Sequence, residues 1–178
     1  MNDQEPLLAA IYENVELHEH DYSWPAAFVA ERERLLSLLP GVFVEIQHIG
    51  STAVAGLPAK PIIDVLAGVK SMAVAEAIAE PLCKSGYTTS AEFNETLLDR
   101  KWFMRWANGH RTHHLHVVVH GAEIWHEHLR FRDALRLQPE LAARYVALKS
   151  RLAQRHTTDR EAYTNAKTEF VRSSLRDA

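Results

Sequence analysis

Apolar residues recur at helical spacing early in the chain, and runs of strand length follow them. Trp24, Phe28 and Leu35 share one face of a helix with Ser23 as its N-cap, and Pro40 ends that helix. The later apolar runs predict alternating strands and helices and then a helical end. The predicted elements are a helix over 24–39, strands over 42–49 and 61–69, a helix over 72–84, strands over 87–90, 101–107 and 112–120, and helices over 123–137, 139–155 and 159–172. This order indicates an α/β (α+β) protein.

Two segments between these elements carry further predictions. The polar segment 91–99 is predicted to be a loop, and mobile loops beside a site often act as lids. The dipeptide Asn108-Gly109 favours a hairpin between the strands 101–107 and 112–120, although the gap between them is longer than two residues. With 178 residues, 47% of them hydrophobic, residues 1–178 are expected to form one domain. Its core sheet would span about 42–120 and its C-terminal helical part about 123–175.

A loop of small residues joins the first two predicted strands. Gly50 permits backbone angles that other residues avoid, so that main-chain N–H groups can approach an anion closely. Ser51 and Thr52 add hydroxyl groups, and Lys60 supplies a mobile positive charge at the far end of the loop. This combination predicts a phosphate site.

One carboxylate, that of Asp64, lies in the apolar run after this loop. A carboxylate in a buried strand is expensive to desolvate unless a metal, a cation or hydrogen-bond donors neutralise it. Asp64 is therefore a candidate metal ligand. The alternative is that it accepts hydrogen bonds from loop amides and holds the turn together.

Histidines supply a second set of candidate ligands, since the chain has 11 of them. Alternation along the strand 112–120 places His114 and His116 on one face, where side chains at i and i+2 can share a metal. Asp64, His114 and His116 would form a site for zinc or another transition metal, with His48 as a further ligand. The alternative is a set of hydrogen-bonded histidines that line a pocket or a sheet edge.

Basic residues complete the candidate chemistry. Arg111 is a candidate to bind phosphate oxygens through its guanidinium group. Arg105 lies in a predicted strand, where its charge is expected to point into a cleft. Lys149 and Lys167 each follow a tyrosine by four positions, so that each helix presents an aromatic ring and a cation on one face that could meet a nucleotide. Arg136 is expected to lie on solvated helix surface.

Composition limits the possible partners. The net charge of −3 disfavours broad nucleic-acid binding but allows a local basic cleft. No apolar run approaches the roughly 20 residues that span a bilayer, and the first residues lack the features of a signal peptide. We therefore expect a cytoplasmic protein that does not bind membranes. The single cysteine, Cys83, excludes an intramolecular disulfide.

The string GSTAVAGLPAKPIIDV at 50–65 resembles the signature of the GrpB family, small proteins similar in fold to nucleotidyltransferases. The resemblance extends from about Val15 to the C-terminus. It includes the segments 22–25, 114–117 and 131–136 and the Tyr-x-x-x-Lys spacings at 145–149 and 163–167.

The resemblance implies a nucleotidyltransferase-like mixed sheet flanked by helices, with C-terminal helices. In such a core a Gly-Ser pair opens a loop before a strand that carries two acidic residues separated by one position. The two carboxylates share divalent ions, magnesium or manganese, which bridge a nucleoside triphosphate and activate a hydroxyl. This chain has Gly50, Ser51 and Asp64, but Leu66 takes the second acidic position.

The predicted function is transfer of a nucleotidyl group from a nucleoside triphosphate to a hydroxyl or amine of a small molecule. Ser51 and the neighbouring Gly50 and Thr52 would hold phosphate, and Lys60 or Arg111 would balance its charge. Asp64 would bind a divalent metal, and His116 would accept the proton of the nucleophile.

Three alternatives stay open. The first is a non-catalytic nucleotide or phosphate-binding module, which Leu66 favours. The second is a folding or interaction domain, because the family resembles a segment fused to some dephospho-CoA kinases. The third is a metal-dependent hydrolase that uses Asp64, His114 and His116.

Overall fold

The computed structural model describes residues 13–14, 16–155 and 160–176. Within these residues the helices are α1 (Trp24–Leu38), α2 (Met72–Ala77), α3 (Ala79–Lys84), α4 (Ala91–Thr96), α5 (Glu123–Leu137), α6 (Pro139–Arg155) and α7 (Arg160–Arg176). The strands are β1 (Glu45–Ile49), β2 (Ile63–Val69), β3 (Tyr87–Thr88), β4 (Arg100–Ala107) and β5 (His110–Val119), and a 3-10 helix covers Ser51–Ala53. None of the helices in this part of the chain combines the length and apolar character needed to cross a membrane.

The five strands form one mixed sheet in the order β1-β2-β5-β4-β3. The central pair, β2 and β5, is parallel, and the other three pairs are antiparallel. Helices cover both faces, and three helices follow the last strand. The expectation of a mixed α/β sheet flanked by helices, with C-terminal helices, is confirmed.

The two faces of the sheet bury different side chains because residues alternate along β2 and β5. Val65, Leu115 and Val117 pack on one face with Leu35 of α1 and with α2 and α3. On the other face, a smaller cluster contains Ile49, Leu66, Val118 and Trp125, the last of them on α5. The predicted alternation along β5 is confirmed. The face that packs against α5 is the one that carries His114 and His116.

One predicted helix is divided in two. Instead of a single helix over 72–84, α2 ends at Ala77 and α3 begins at Ala79. Pro81 explains the break, because its ring lacks an N–H and conflicts with the carbonyl of the residue four positions earlier, Ala77. The first two strands also begin later than predicted, at Glu45 and Ile63.

The predicted loop over 91–99 is wrong for its first six residues, which form α4. Ser90 caps this helix by accepting a hydrogen bond from Phe93 N at 3.1 Å. Asn94 is buried and exchanges hydrogen bonds with the main chain of Trp102 at 2.8 and 3.1 Å. The segment therefore packs on β4.

The hairpin between β4 and β5 is confirmed, with a shorter connection than predicted. Asn108 and Gly109 have φ angles of 54° and 78°, and β5 begins directly after them at His110. Positive φ at both positions is typical of the two-residue turns that Asn-Gly favours.

Candidate functional site

The loop after β1 lies directly on the side chain of Asp64. Gly50 has a φ of 73°, and a Cβ at this position would come within 2.6 Å of Asp64 Oδ2. The 3-10 helix begins at the next residue, Ser51. The close approach of backbone to an anion, predicted for Gly50, therefore occurs within the protein, and the anion is a carboxylate.

Asp64, His114 and His116 are brought together by the parallel pairing of β2 with β5. Asp64 lies opposite His114, and Leu66 lies opposite His116. The Oδ1 atom of Asp64 is 3.3 Å from His114 Nδ1 and 3.8 Å from His116 Nε2. The side chain of Asp64 is 29% exposed, so a ligand can reach it.

The histidines keep Asp64 ionised. Burial raises the pKa of Asp64, but the contacts and charges of His114 and His116 outweigh burial and lower this pKa overall. Burial lowers the pKa of His114 more than Asp64 raises it. The result is a carboxylate that accepts a hydrogen bond from a neighbouring imidazole.

A second histidine pair extends the site toward α5. The rings of His116 and His128 have their centroids 5.6 Å apart. Burial lowers the pKa of His128 to about 3, and the charges of His116 and Arg100 add to the effect. Among the described residues, the buried Nδ1 atom of His116 has no hydrogen-bond partner.

Lys149 enters the site from α6. This lysine is 2% exposed, and its Nζ donates to Ser51 Oγ at 2.9 Å and to the Pro58 carbonyl at 2.7 Å. Burial lowers the pKa of Lys149 to about 7, with a further contribution from the charge of Lys167. The ring of Tyr145, on the same face of α6, lies 4.9 Å from Nζ.

Lys167 adds a cation from α7. Its Nζ lies 5.2 Å from the ring centroid of Tyr163 and 5.9 Å from that of Tyr145. Burial lowers the pKa of Lys167, but Tyr145, Tyr163 and Asp64 outweigh burial and raise this pKa to about 12. Lys60 contacts the same Tyr163 ring, with its Nζ 4.2 Å from the centroid. Lysines from the loop and from the last helix thus share one aromatic ring.

Arg111 connects the histidines to a cavity. Its Nη1 lies 3.2 Å from His114 Nε2, and its Nε lies 3.3 Å from a carboxylate oxygen of Glu13. Arg111, Lys60 and Trp106 line an open cavity of about 620 Å³. Two predicted binding residues therefore border a space large enough for a small molecule.

His48 and Thr52 lie apart from the Asp64 cluster. His48 is opposite Val65, whose side chain faces away from that of Asp64. The His48 ring stacks on Phe28 at 4.7 Å, and its Nε2 lies 2.9 Å from Thr52 Oγ1. Burial lowers the pKa of His48 to about 4. The structure groups these two side chains with each other and not with His114 and His116.

Two arginines of α5 hold the ends of the Gly50–Ser51 loop. Arg132 Nη1 donates to the carbonyl of His48 at 3.1 Å. Arg136 is exposed, as predicted, and its Nε and Nη2 also donate to the carbonyl of Ala53 at 3.0 and 2.7 Å. No sequence signal indicates these contacts, because the partners are main-chain carbonyls.

Arg105 does not point into the site. It pairs with buried Glu31 of α1, which Arg34 and Tyr87 also contact. The predicted role of Arg105 in a cleft is wrong, because an internal carboxylate on the opposite face of the sheet binds its charge.

The side chains around Asp64 limit which metal ions could bind there. Asp64 with His114 and His116 offers one carboxylate and two imidazoles, a combination that suits transition metals. Leu66, fully buried, leaves no second carboxylate to bridge two magnesium ions. Among the described residues, no group of three or more His, Cys, Asp or Glu side chains has metal-binding geometry. The residues thus do not fit a two-carboxylate magnesium site, and a single ion on Asp64 remains the prediction.

The resemblance implies a Gly-Ser loop on a mixed sheet, before a strand with two carboxylates. This chain has the loop and the mixed sheet, but β2 carries one carboxylate, that of Asp64. Residues 14–177 match the family model described as GrpB protein, so this chain belongs to the GrpB family. It is 36% identical over 163 residues to the glutamate-rich protein GrpB of Alkalihalophilus pseudofirmus, a match that covers 89% of this chain and 92% of that protein. It is 34% identical to the UPF0157 protein YqkA of Bacillus subtilis, over 92% of this chain but 47% of YqkA.

A solved structure and a further sequence relative extend the comparison. The crystal structure of the conserved protein GrpB from Enterococcus faecalis matches 90% of this chain and 99% of that chain, with a TM-score of 0.74 and 29% identity. A dephospho-CoA kinase of Mycolicibacterium paratuberculosis is 30% identical over 186 residues, and the match covers 92% of this chain but 46% of that enzyme. The resemblance to the GrpB family is confirmed.

Proposed function

We propose that this chain binds a nucleoside triphosphate at the Gly50–Ser51 loop and transfers its nucleotidyl group to a hydroxyl or amine of a small molecule. The observation that carries the proposal is the convergence of Lys149 and Lys167 on Ser51 of the loop and Asp64 of β2. Two helices far along the chain thereby place cations beside a hydroxyl and a carboxylate. Such a combination can hold a polyphosphate.

The cations have separate roles in this proposal. Lys167 stays charged at neutral pH because its pKa is raised to about 12, and it can therefore hold phosphate oxygens. Lys60 and Arg111 border the cavity of about 620 Å³, where they are placed to contact the nucleotide or the acceptor. An arginine guanidinium can bind two phosphate oxygens at once, whereas a lysine acts as a point charge.

The carboxylate and histidines would serve the chemical step. A divalent ion on Asp64 would supply charge neutralisation at the reacting phosphate. His116 has one ring nitrogen near Asp64 and another without a partner among the described residues, so it is placed to accept the proton of the acceptor. His114 lies between Asp64 and Arg111 and orients both.

Calorimetric titration tests the proposal. ATP, GTP, CTP and UTP are titrated into the wild type and into Asp64→Ala, each with and without magnesium, manganese or zinc. We expect metal-dependent binding that weakens at least about tenfold in Asp64→Ala, equivalent to about 1.4 kcal/mol. Asp99→Ala, at an exposed position, is the matched control. Absence of heat with every pair would contradict nucleotide binding.

A non-catalytic phosphate-binding module is the second candidate. Leu66 supports it, because this fully buried leucine takes the place of a second carboxylate and lies opposite His116. This candidate predicts binding without release of pyrophosphate. A pyrophosphate-release assay on the same samples, with a panel of small alcohols and amines, separates the two functions.

The partial match to a dephospho-CoA kinase supports a third candidate, a folding or interaction domain. That candidate predicts no affinity for nucleotides, so the same titration tests it.

A cytoplasmic location also stays a prediction.

A further inference from the structure

Ser51 stands at a sharp turn between a strand and a short helix. β1 ends at Ile49, Gly50 reverses the backbone with a φ of 73°, and Ser51 opens the 3-10 helix. The side chain of Ser51 is partly exposed, so its hydroxyl can meet a ligand on one side. On its other side, Oγ lies 2.9 Å from Lys149 Nζ. A strand-to-helix turn with a base behind the hydroxyl is a geometry that nucleophilic serines use.

Lys149 is placed to act as that base. The Pro58 carbonyl accepts one N–H of Nζ at 2.7 Å. The charged lysine donates to Ser51 Oγ, and the same contact reverses in the neutral amine, where the Nζ lone pair accepts the Ser51 hydroxyl proton. The charged and titratable groups around Nζ are Lys167 and Asp64, together with Tyr145 of the same helix. Burial, followed by Lys167, lowers the pKa of Lys149 to about 7, so a large fraction is neutral at neutral pH.

We propose that Ser51 is a nucleophile and Lys149 its general base, and that the nucleotidyl group passes through a covalent Ser51 intermediate. This inference rests on the proposed function, because it uses the same bound nucleoside triphosphate. It goes beyond that function by changing Ser51 from a phosphate-binding hydroxyl into a reacting group.

The step balances in atoms and electrons. The Ser51 hydroxyl proton moves to Lys149 Nζ as Oγ forms a bond to the α-phosphorus. The bond from the α-phosphorus to the bridging oxygen breaks, and pyrophosphate leaves with the electron pair. Lys167 is the neighbouring cation for the pyrophosphate, and its charge opposes protonation of Lys149 before the reaction. The acceptor then attacks the α-phosphorus and gives its proton to His116. The bond from Oγ to phosphorus breaks, and Lys149 returns its proton to Ser51 Oγ.

Intact-protein mass spectrometry tests the inference, because the intermediate accumulates when no acceptor is present. The full chain is incubated with ATP and magnesium or manganese, and the modified residue is mapped by peptide fragmentation. We expect a mass increase of one adenylyl group on Ser51. Its rate of formation should rise with pH through about 7, as Lys149 loses its proton.

Variants of Ser51 and Lys149 distinguish loss of the nucleophile or the base from loss of the folded structure. Ser51→Ala should abolish the adduct, whereas Ser23→Ala, at the exposed serine that directly precedes α1, should leave it unchanged. Lys149→Arg keeps a charged donor that does not deprotonate near neutral pH, and it should slow adduct formation by roughly 100-fold. Lys149→Met, of similar length without a charge, should do the same and provides a second variant if one fails to fold.

Parallel calorimetry distinguishes the two proposals. ATP binding by the wild type without any Ser51 adduct would overturn the covalent route and leave the proposed function standing. An adduct on another residue would also overturn it, as would an unchanged rate in both folded Lys149 variants. No ATP binding by the wild type would overturn both proposals.

Discussion

The contact between Gly50 and Asp64 shows how one residue determines the local form of the site. The sequence predicts a glycine that lets backbone approach an anion, and the structure identifies Asp64 as the group approached. Two effects act at residue 50: a positive φ, which side chains disfavour, and a gap too small for a methyl group.

The first prediction separates these two effects. We expect Gly50→Ala to lower the free energy of unfolding by roughly 2 to 4 kcal/mol, because strain from positive φ adds to displacement of Asp64. Gly41→Ala is the matched control, since Gly41 has a φ of 74° and no atom within 4 Å of the new Cβ. Urea unfolding measures both variants. Equal losses would show that the contact with Asp64 contributes nothing.

Helix α5 contacts the site loop through two arginine side chains. Arg132 and Arg136 lie one turn apart and donate to carbonyls at either end of the loop that contains Gly50 and Ser51. The helix itself is predicted from periodicity, with the correct bounds. Its contacts with the loop are not predicted, because main-chain acceptors leave no pattern in the sequence.

The second prediction concerns this link. Arg136→Lys loses the paired hydrogen bonds to the Ala53 carbonyl, because a lysine cannot present two N–H groups in a fixed fork. We expect nucleotide affinity to fall by roughly three- to tenfold, about 1 kcal/mol, in calorimetric titration. Arg130→Lys, in an exposed pair with Glu123, is the control. If both variants bind equally well, α5 does not position the loop.

The third prediction belongs to α4. Asn94 donates to Thr89 Oγ1 and exchanges hydrogen bonds with the main chain of Trp102, and it is buried. Asn94→Ala should lower the free energy of unfolding by about 2 kcal/mol, because it removes the acceptor of the part-buried Trp102 N–H and leaves Thr89 as the side-chain donor to the Trp102 carbonyl. Glu95→Ala, at the exposed position next to it, should change stability by less than about 0.5 kcal/mol. A small effect of Asn94→Ala in urea unfolding would mean that α4 is only loosely attached.

Across the whole molecule, the sequence predicts the features that depend on residues close together in the chain. Periodicity places the helices and strands, and alternation puts His114 and His116 on one face. Their meeting with Asp64 requires the parallel pairing of β2 and β5, which no local pattern specifies. The resemblance implies a mixed sheet but does not specify which strands pair in parallel.

Register and distant contacts account for what the sequence missed. The sequence predicts His48 as a further ligand beside Asp64, but the pairing of β1 with β2 directs its ring toward Phe28. The contact of Lys149 with Ser51 joins residues far apart in the chain. The Tyr-x-x-x-Lys spacing indicated a functional face but not its partner.

The fourth prediction is a loss of stability in mild acid. Burial is the largest cause of a lowered pKa at His48 and His113, each about 4, and at His128, about 3. Unfolded histidines have a pKa near 6.5, so below that pH the unfolded state binds more protons than the folded state. The stabilisation is complete above about pH 6.5 and is lost as the pH falls toward 4. The lowered pKa of Asp64 acts only at still lower pH.

Urea unfolding from pH 7.5 to 5 measures this effect. Each of the three histidines should contribute a slope of up to about 1.4 kcal/mol per pH unit. His48→Gln removes one titrating group and should flatten the slope by up to that amount. A stability independent of pH over this range would contradict the burial of neutral histidines.

Nucleotide binding at the Gly50–Ser51 loop is best tested by a crystal structure of the protein with a non-hydrolysable ATP analogue and manganese. We expect phosphate oxygens within hydrogen-bond distance of Ser51 Oγ and Lys167 Nζ, and anomalous density for manganese beside Asp64. Nucleotide bound away from the Gly50–Ser51 loop, or crystals with no bound nucleotide at millimolar concentrations, would contradict it.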